Sequence, residues 1–300
     1  MDTQEPRVKI AVQKNGRLTE RSLELLARCG LRFTQSKDQL FCLGENMPVD
    51  LLFVRDDDIP GLVGDDICDL GIIGLNTIHE KRLDLQREGR EACFDQVLAL
   101  DFGHCRLAIA APNEMTFTGA ESLQGRCIAT SYVETLKDFL RARSIDAGIV
   151  YFSGAVEIAP RLGRADFICD LVSTGSTLAA NQLREVLTVL ESEAVIIQTR
   201  AALCDVKQEW IVRILKRLDG VLQVRESKYI MLHAPRSALP EIARLLPGSE
   251  YPTVIPLDGQ SDKVAVHAVC RENVFWETLE NLKQAGASSL LVLPVEKMLA

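Results

Sequence analysis

The 300-residue sequence has few aromatic residues, 5% of the chain, and no long run of apolar residues. Apolar runs such as 107–111 and 290–293 are far shorter than the ~20 residues that a membrane-spanning helix needs. Apolar residues nevertheless make up 47% of the chain and charged residues 25%. This composition is typical of a globular protein and excludes a disordered or fibrous one.

Stretches rich in lysine or arginine are also missing, and the formal net charge is −8. Nonspecific binding to nucleic acid or to a membrane surface depends on basic patches. We therefore expect neither nucleic acid nor membrane among the partners. The first residues carry acids and lack the apolar segment of a signal peptide, so we expect a cytoplasmic protein.

Metal-binding spacings are absent as well. The nine cysteines occur singly, without a C-x-x-C pair, and the four histidines have no ligand spacing. An odd number of scattered cysteines predicts buried, small apolar side chains in a reducing compartment rather than a disulfide framework. A structural zinc site is not expected.

Short apolar strands alternate with helices in the first hundred residues, and we predict strands at 8–12, 51–54 and 70–73. Thr19 is expected to cap the first helix, Gly30 to end it, and Asp58 to cap another. This alternation predicts a mostly parallel sheet that is buried on both faces.

The pattern changes near residue 98, where apolar stretches at 98–100 and 107–111 suggest a crossing into a second lobe. That lobe is predicted to have strands at 127–129, 149–152 and 167–172. Its helices should start at Ser131 and Val156 and span Thr177–Leu183. Strands within 186–199 then return to the first lobe. We expect residues 1–100 plus about 184–220 to form lobe I and residues 101–183 to form lobe II, with a ligand cleft between them.

The last segment has a pattern of its own, with predicted strands at 229–233, 253–257, 264–269 and 290–295 and helices at 239–246 and 274–285. The order β-α-β-β-α-β is that of the ferredoxin-like sandwich. We assign residues 221–300 to this domain. A small sandwich after a complete two-lobed core more often regulates or oligomerises than catalyses.

One segment, 168–178, carries the clearest chemistry: an apolar strand containing Asp170 runs into Ser173-Thr174-Gly175-Ser176-Thr177 and then into a helix. Backbone N–H groups at a helix N-terminus point at one spot and favour an anion there. Gly175 lets the backbone approach that anion closely, and hydroxyl groups add donors. The alternative interpretation is an ordinary strand-to-helix turn with a hydroxylic cap.

This segment resembles the signature of ATP phosphoribosyltransferases, the first enzymes of histidine biosynthesis. The matching positions are Glu157, Gly163, Ala165, Ile168, Asp170-Leu171, Thr174-Gly175 and Thr177-Leu178. Further segments resemble the family's other motifs: 13–18, 45–48, 55–61, 69–74, 101–103, 225–229 and 286–289. The resemblance extends over essentially the whole chain. The fold that it implies is α/β, a two-lobed periplasmic-binding-protein-like catalytic core with a C-terminal ferredoxin-like regulatory domain, as in the long, self-regulated form.

The resemblance implies that N1 of the ATP adenine attacks C1 of phosphoribosyl pyrophosphate, giving phosphoribosyl-ATP and pyrophosphate with Mg²⁺ as cofactor. It implies that the ribose 5-phosphate is held by Asp170, Ser173, Thr174, Gly175, Ser176 and Thr177. Arg17 and Arg55 would be catalytic, and Lys14, Gly16 and Glu157 would face ATP. The alternatives are solvated turn residues for the cations and a favourable helix start for Glu157.

Two features of the implied site stay open at this point. Asp56, Asp57 and Asp58 could contribute to a Mg²⁺ site or form a solvated acidic turn, so no metal ligand is assigned. Leu75 stands where the family often has an acid, and Val133 where it commonly has proline. These departures affect the adenine pocket rather than the phosphate cradle.

For the C-terminal domain, the resemblance implies feedback inhibition by histidine bound between domains of a hexamer. His233, Thr253 and Ser289 fall in the matching motifs, although strand-end exposure explains polar residues there equally well. The chain is expected to be a homo-oligomer, a dimer or a hexamer. The main alternative function is a two-lobed protein that binds a small anion or other solute without catalysis. A different phosphoribosyltransferase is disfavoured because the usual pair of acids before the hydroxylic turn is absent.

Overall fold

The computed structural model describes residues 6–34, 39–224, 227–246, 252–270, 276–296 and 298. They fall into two compact units, Met1–Ile211 and Val212–Ala300. The first unit contains two sheets and the second contains one. None of the helices in the described ranges is long and apolar enough to cross a membrane.

The first sheet forms lobe I and has six strands in the order β2-β3-β1-β4-β11-β5. The strands are β1 (Val8–Gln13), β2 (Phe41–Leu43), β3 (Val49–Val54), β4 (Leu70–Gly74), β5 (Phe94–Ala99) and β11 (Ala194–Thr199). The helices are α1 (Thr19–Arg28), α2 (Ile59–Gly64) and α3 (Leu75–Arg87). Every residue of β4 is buried, as expected for a central strand with covered faces.

The second sheet forms lobe II and has five strands in the order β10-β6-β9-β7-β8. The strands are β6 (Cys105–Pro112), β7 (Cys127–Thr130), β8 (Gly148–Tyr151), β9 (Phe167–Val172) and β10 (Leu183–Ser192). The helices are α4 (Val133–Ala142) and α5 (Ser176–Ala180). Leu136, Phe139 and Leu140 of α4 are buried against this sheet, as the sequence predicts.

Two details of the lobe prediction are wrong. Strand β10 pairs with β6 from Leu183 to Ser192, so it belongs to lobe II, and the return to lobe I lies between β10 and β11 rather than near residue 184. The sheets are mixed rather than mostly parallel. The reason is that the strands next to the crossings, β5 and β11 in one sheet and β6 and β10 in the other, run antiparallel to their neighbours.

Several predicted helix ends also differ. Thr19 is the first residue of α1 and its hydroxyl donates to the carbonyl of Gln13 (3.0 Å), while Tyr132 rather than Ser131 is the N-cap of α4. Asp58 does precede α2, but its carboxylate makes no capping bond. The helix predicted from Val156 is one 3-10 turn, Val156–Ile158, because Pro160 follows it and cannot donate a backbone hydrogen bond.

The end of α1 and the length of α5 complete this comparison. Gly30 follows α1 with φ of +90°, which confirms its predicted role at the helix end. Helix α5 ends at Ala180 rather than Leu183, since Leu183 begins β10. Six of the nine cysteines are buried, but Cys93 and Cys204 are exposed, contrary to the expectation for all of them.

The C-terminal unit confirms the order β-α-β-β-α-β. After α6 (Asp205–Leu222), its elements are β12 (Lys228–Pro235), α7 (Leu239–Leu245), β13 (Thr253–Leu257), β14 (Gln260–Cys270), α8 (Trp276–Gln284) and β15 (Ser288–Pro294). The sheet order β13-β14-β12-β15, with antiparallel pairs throughout, is that of a ferredoxin-like sandwich. Predicted helix residues 274–275 lie outside the described residues.

Candidate functional site

The hydroxyl-rich loop lies where β9 ends and α5 begins. Gly175 has φ of +78°, in the left-handed region that favours glycine. A Cβ placed on Gly175 would meet no atom within 4 Å, so the space beside the backbone is open. Ser173, Thr174, Ser176 and Thr177 all reach solvent at least in part. The first N–H groups of a helix have no carbonyl one turn earlier to accept them, so this loop presents donors to the open space.

Asp170 lies on β9, ahead of that loop. One of its carboxylate oxygens accepts a hydrogen bond from the backbone N–H of Leu171 (2.8 Å). Burial raises the pKa of Asp170 to about 6, the Leu171 hydrogen bond lowers it, and the neighbouring charge of Glu157 raises it. No arginine or lysine is paired with this carboxylate within the described ranges, so Asp170 is a buried acid that a polar ligand would stabilise.

Glu157 lies close enough to Asp170 for their charges to interact. It sits on the 3-10 turn Val156–Ile158, directly after Ala155, which has φ of +47°. Glu157 also lines a cavity of about 530 Å³ together with Arg161, Asn113 and Gln182. The two predicted acids of lobe II are therefore neighbours.

Arg17, on the turn between β1 and α1, is not a solvated turn residue. Its guanidinium donates to the carbonyl of Gly103, which lies on a crossing between the lobes (3.1 Å). It also donates to Oδ1 of Asn76 at the start of α3 (3.4 Å). Burial raises the pKa values of Asp56 and Tyr132, and the positive charge of Arg17 partly offsets that rise. Arg17 thus lies beside a cluster of groups from both lobes.

That cluster contains Asp56 and Tyr132. Oδ2 of Asp56 accepts a hydrogen bond from the Thr77 hydroxyl (2.8 Å), while Oδ1 is buried without a partner. Burial raises the pKa of Asp56; the Thr77 bond lowers it, and the charge of Asp57 raises it. Burial, followed by the charges of Asp170 and Asp56, raises the pKa of Tyr132, so this phenol stays protonated. Tyr132 thus lies between one acid from each lobe.

The other predicted residues of lobe I are placed less distinctively. The backbone N–H of Lys14 donates to the carbonyl of Val54 (2.8 Å), which fixes the turn after β1 against the end of β3. A Cβ on Gly16 would lie 2.6 Å from atoms of the Gln13 side chain, and φ of +149° adds strain, so glycine is required here. Arg55 follows β3 directly and is exposed.

Asn76 is the polar residue that sequence reasoning missed. It is 1% exposed. Its Nδ2 donates to the Tyr132 hydroxyl across the lobes (3.0 Å), and its Oδ1 accepts a bond from Ser192, at the end of β10 (2.8 Å). Tyr132 and Asn76 both stand beside positions where the sequence departs from the family pattern. Their burial depends on lobe packing, which no local sequence signal reveals.

The three residues predicted in the C-terminal unit are not all adjacent. Ser288 pairs with His233 across β15 and β12, so His233 and Ser289 are close neighbours. Ser289 has φ of +52°. Thr253 pairs with His267 on β14, one strand further from β12. A single domain therefore brings together two of the three predicted residues.

The fold and the site together define a class: a two-lobed α/β cleft protein with an anion-binding helix start and a separate ferredoxin-like domain. A family model described as ATP phosphoribosyltransferase (HisG) matches residues 55–220, and one described as the HisG C-terminal domain matches residues 225–297. The chain therefore belongs to the ATP phosphoribosyltransferase family, in the long form that carries both regions. It is a transferase of histidine biosynthesis, and the non-catalytic solute-binding alternative is not supported.

Solved structures agree with this fold. The ATP phosphoribosyl transferase (HisG:HisZ) complex from Thermotoga maritima matches with a TM-score of 0.59 and 23% identity, covering 72% of this chain and 98% of that chain. The alkanesulfonate-binding protein SsuA from Xanthomonas axonopodis pv. citri matches with a TM-score of 0.47 and 16% identity, covering 74% and 76%. Residues 14–17 lie outside the range matched by the catalytic family model.

Proposed function

We propose that phosphoribosyl pyrophosphate binds with its 5-phosphate on the loop Ser173–Thr177, and that N1 of the ATP adenine displaces pyrophosphate from C1. The observation that carries this proposal is the open space at Gly175, bordered by solvent-accessible hydroxyls and the first N–H groups of α5. A phosphate fits such a helix start because the aligned N–H groups favour negative charge. Asp170 would accept hydrogen bonds from the ribose hydroxyls, which would compensate for the burial of its carboxylate.

Arg17 and Arg55 would bind the pyrophosphate as it leaves. Displacement at C1 of a ribose passes through a positively charged, sugar-centred transition state, and negative charge grows on the leaving group. Positioning and charge stabilisation therefore supply most of the catalysis, and no protein nucleophile is needed. Arg17 is held in place by Gly103 and Asn76, so its guanidinium would meet the phosphate charge with little reorganisation.

Lys14, Gly16 and Glu157 would contact ATP. Gly16 keeps the turn after β1 free of a side chain, and Lys14 on the same turn would reach the triphosphate as a flexible point charge. Glu157, half-buried beside Asp170, would accept a hydrogen bond from the nucleotide. The nucleotide would thus lie between a cationic turn of lobe I and an acid of lobe II.

Mg²⁺ fits one group of this site. Oδ1 of Asp56 is a buried oxygen without a hydrogen-bond partner, and carboxylate oxygens are the donors that Mg²⁺ prefers. Mg²⁺ commonly takes only one or two carboxylates and completes its shell with water and substrate phosphates. Asp56 would therefore be its protein ligand. When bound, the ion would screen the negative charge of the pyrophosphate.

Thr177→Val tests the phosphate loop. The change removes a hydroxyl donor to a charged phosphate, worth about 1.5–3 kcal/mol. We expect the KM for phosphoribosyl pyrophosphate to rise roughly 10- to 100-fold in steady-state assays. Thr177→Ser, which keeps the hydroxyl, should retain a nearly unchanged KM. Equal KM values for the valine and serine variants would contradict the placement of the phosphate.

The reaction itself is tested by mixing the protein with ATP, phosphoribosyl pyrophosphate and Mg²⁺ and following ultraviolet absorbance. We expect a change that requires both substrates and releases pyrophosphate in equal amount. Binding of either substrate without product formation would contradict catalysis by this chain.

The C-terminal domain would bind histidine and inhibit the reaction. His233 and Ser289, neighbours at one end of the sheet, would face the ligand, and Thr253 would contribute from a second copy of the domain, because it lies two strands away. This arrangement supports a homo-oligomer, a dimer or a hexamer, with its own regulatory domain in place of a separate subunit. The proposed location is the cytoplasm.

Removing the residues after Val224 should abolish inhibition by histidine, since the proposed inhibitor site lies wholly in the deleted part. Coupling between such sites typically amounts to about 1–3 kcal/mol. Initial rates with and without histidine measure the effect, and sedimentation shows whether assembly has changed as well. A truncated enzyme that is still inhibited would contradict the regulatory role.

A further inference from the structure

Helix α3 of lobe I contacts the N-terminus of α4 in lobe II. The carboxylate of Glu80, on α3, accepts three hydrogen bonds from the first turn of α4. Its Oε1 accepts the backbone N–H of Glu134 (2.8 Å), and its Oε2 accepts the N–H (2.8 Å) and the hydroxyl (2.7 Å) of Thr135. Glu80 therefore caps a helix of the other lobe.

The local sequence of α4 provides no substitute for this cap. Its N-cap residue, Tyr132, makes no side-chain capping bond. The first N–H groups of a helix need acceptors from outside the helix, and a carboxylate there also interacts favourably with the helix dipole. The start of α4 thus depends on a residue of lobe I.

Other residues of α3 support the same contact. Nδ1 of His79 lies 3.2 Å from the Thr135 hydroxyl, and Arg87 forms an ion pair with Glu134 (3.4 Å). Asn76, one helical turn before Glu80, donates to the Tyr132 hydroxyl. Residues 76, 80 and 87 have the spacing of one helix face. One face of α3 is therefore bonded to residues 132–135.

We propose that Glu80 is a positioning residue that fixes the two lobes in the closed arrangement required for catalysis. Tyr132, which directly precedes α4, interacts electrostatically with Asp56 of lobe I and Asp170 of lobe II. Fixing the start of α4 to α3 therefore fixes the separation between the two halves of the cleft. This inference rests on the proposed binding of both substrates between the lobes.

The functional consequence is a larger fraction of enzyme in the binding-competent state before substrate arrives. When that fraction falls, the apparent affinity falls in proportion. Saturating substrate restores the closed state because it binds both lobes. Loss of the Glu80 contacts should therefore raise KM and leave kcat nearly unchanged, which a general loss of folding would not do.

The test uses Glu80→Gln in the full-length enzyme, because a carboxamide has one acceptor oxygen instead of two. Hydrogen exchange without substrate should show the amides of Glu134 and Thr135 exchanging at least about tenfold faster, on the order expected for a lost charge-assisted bond. The KM for phosphoribosyl pyrophosphate should rise about tenfold, with kcat within about twofold. Glu88→Gln is the matched control, since Glu88 at the end of α3 pairs only with Arg90 of its own lobe in the described structure.

Unchanged amide exchange in Glu80→Gln would overturn the cap, and faster exchange with a wild-type KM would overturn the positioning role. If Thr177→Val raises KM while Glu80→Gln does not, the present inference fails alone; if neither does, the proposed substrate placement fails too. Should Glu80→Gln not fold, Thr135→Val replaces it: KM should rise about threefold, and Thr135→Ser should restore it. Equal KM values for those two variants would overturn the proposal.

Discussion

Arg17→Ala should lower kcat/KM by about 10²- to 10³-fold while the protein remains folded. A hydrogen bond between a guanidinium and a phosphate is worth about 1.5–3 kcal/mol, and the fork of arginine makes two of them. Loss of about 3–4 kcal/mol, the sum of two such bonds at the lower end of that range, corresponds to this factor in rate. The substitution also leaves Asp56 without the positive charge that partly offsets the effect of burial on its pKa. Initial rates at varied ATP and phosphoribosyl pyrophosphate measure the effect.

Two other variants make this prediction specific. Arg21→Ala removes an exposed arginine one turn further along α1 and should be close to wild type. Arg17→Lys keeps the charge but loses the planar fork, so it should recover only part of the activity. Activity of Arg17→Ala equal to that of Arg21→Ala would show that Arg17 does not meet substrate phosphate.

Asp170→Asn should lower kcat/KM for phosphoribosyl pyrophosphate by about 10²-fold, because two hydrogen bonds to ribose hydroxyls lose their charged acceptor. In the wild type, kcat/KM should rise with pH through about 6, the pKa of the buried carboxyl, as the carboxylate forms. The asparagine variant has no ionisable group at this position and should lack that inflection. The pH profile of kcat/KM is the measurement.

The same substitution should increase stability at neutral pH. The pKa of Asp170 is raised by folding, from 3.8 to about 6, so the ionised group destabilises the folded state. This penalty is absent below the unfolded pKa, grows between the two values and is complete above about 6. The carboxamide oxygen of the variant would still accept the Leu171 N–H. Asp170→Asn should therefore unfold with about 2 kcal/mol more free energy at pH 8, and no more at pH 4.

Asp138→Asn serves as the control, because this exposed residue of α4 pairs only with Arg141 in the described structure. It should change neither the pH profile nor the stability difference between pH 4 and pH 8. If Asp170→Asn behaves in the same way as this control, Asp170 is not a buried acid that awaits ligand.

Much of the fold follows from local sequence patterns. Strand β9 is predicted at its observed bounds because a continuous apolar run ends at a hydroxylic turn. The C-terminal sandwich follows from strands and helices whose periodicities are distinct. The boundary at β10 could not be found this way, since Leu183–Ser192 reads as a strand whichever sheet it joins. Pairing partners, not local propensity, decide that question.

The candidate site is predictable in part. The loop Ser173–Thr177 and Asp170 stand out because a charge in a buried strand needs a partner and glycine permits a left-handed turn. Asn76, Tyr132 and Glu80 were missed because each acts across the lobes. Their burial and partners depend on residues at least 54 positions away in sequence, such as Glu134 for Glu80. The start of α4 was missed for the same reason, since this helix takes its cap from another element.

The position of phosphoribosyl pyrophosphate in a crystal structure of its complex tests the central claim most directly. We predict the 5-phosphate within hydrogen-bonding distance of the backbone N–H groups and hydroxyls of residues 174–177, and the ribose hydroxyls against the carboxylate of Asp170. A 5-phosphate bound elsewhere, with the space at Gly175 left to solvent, would contradict it.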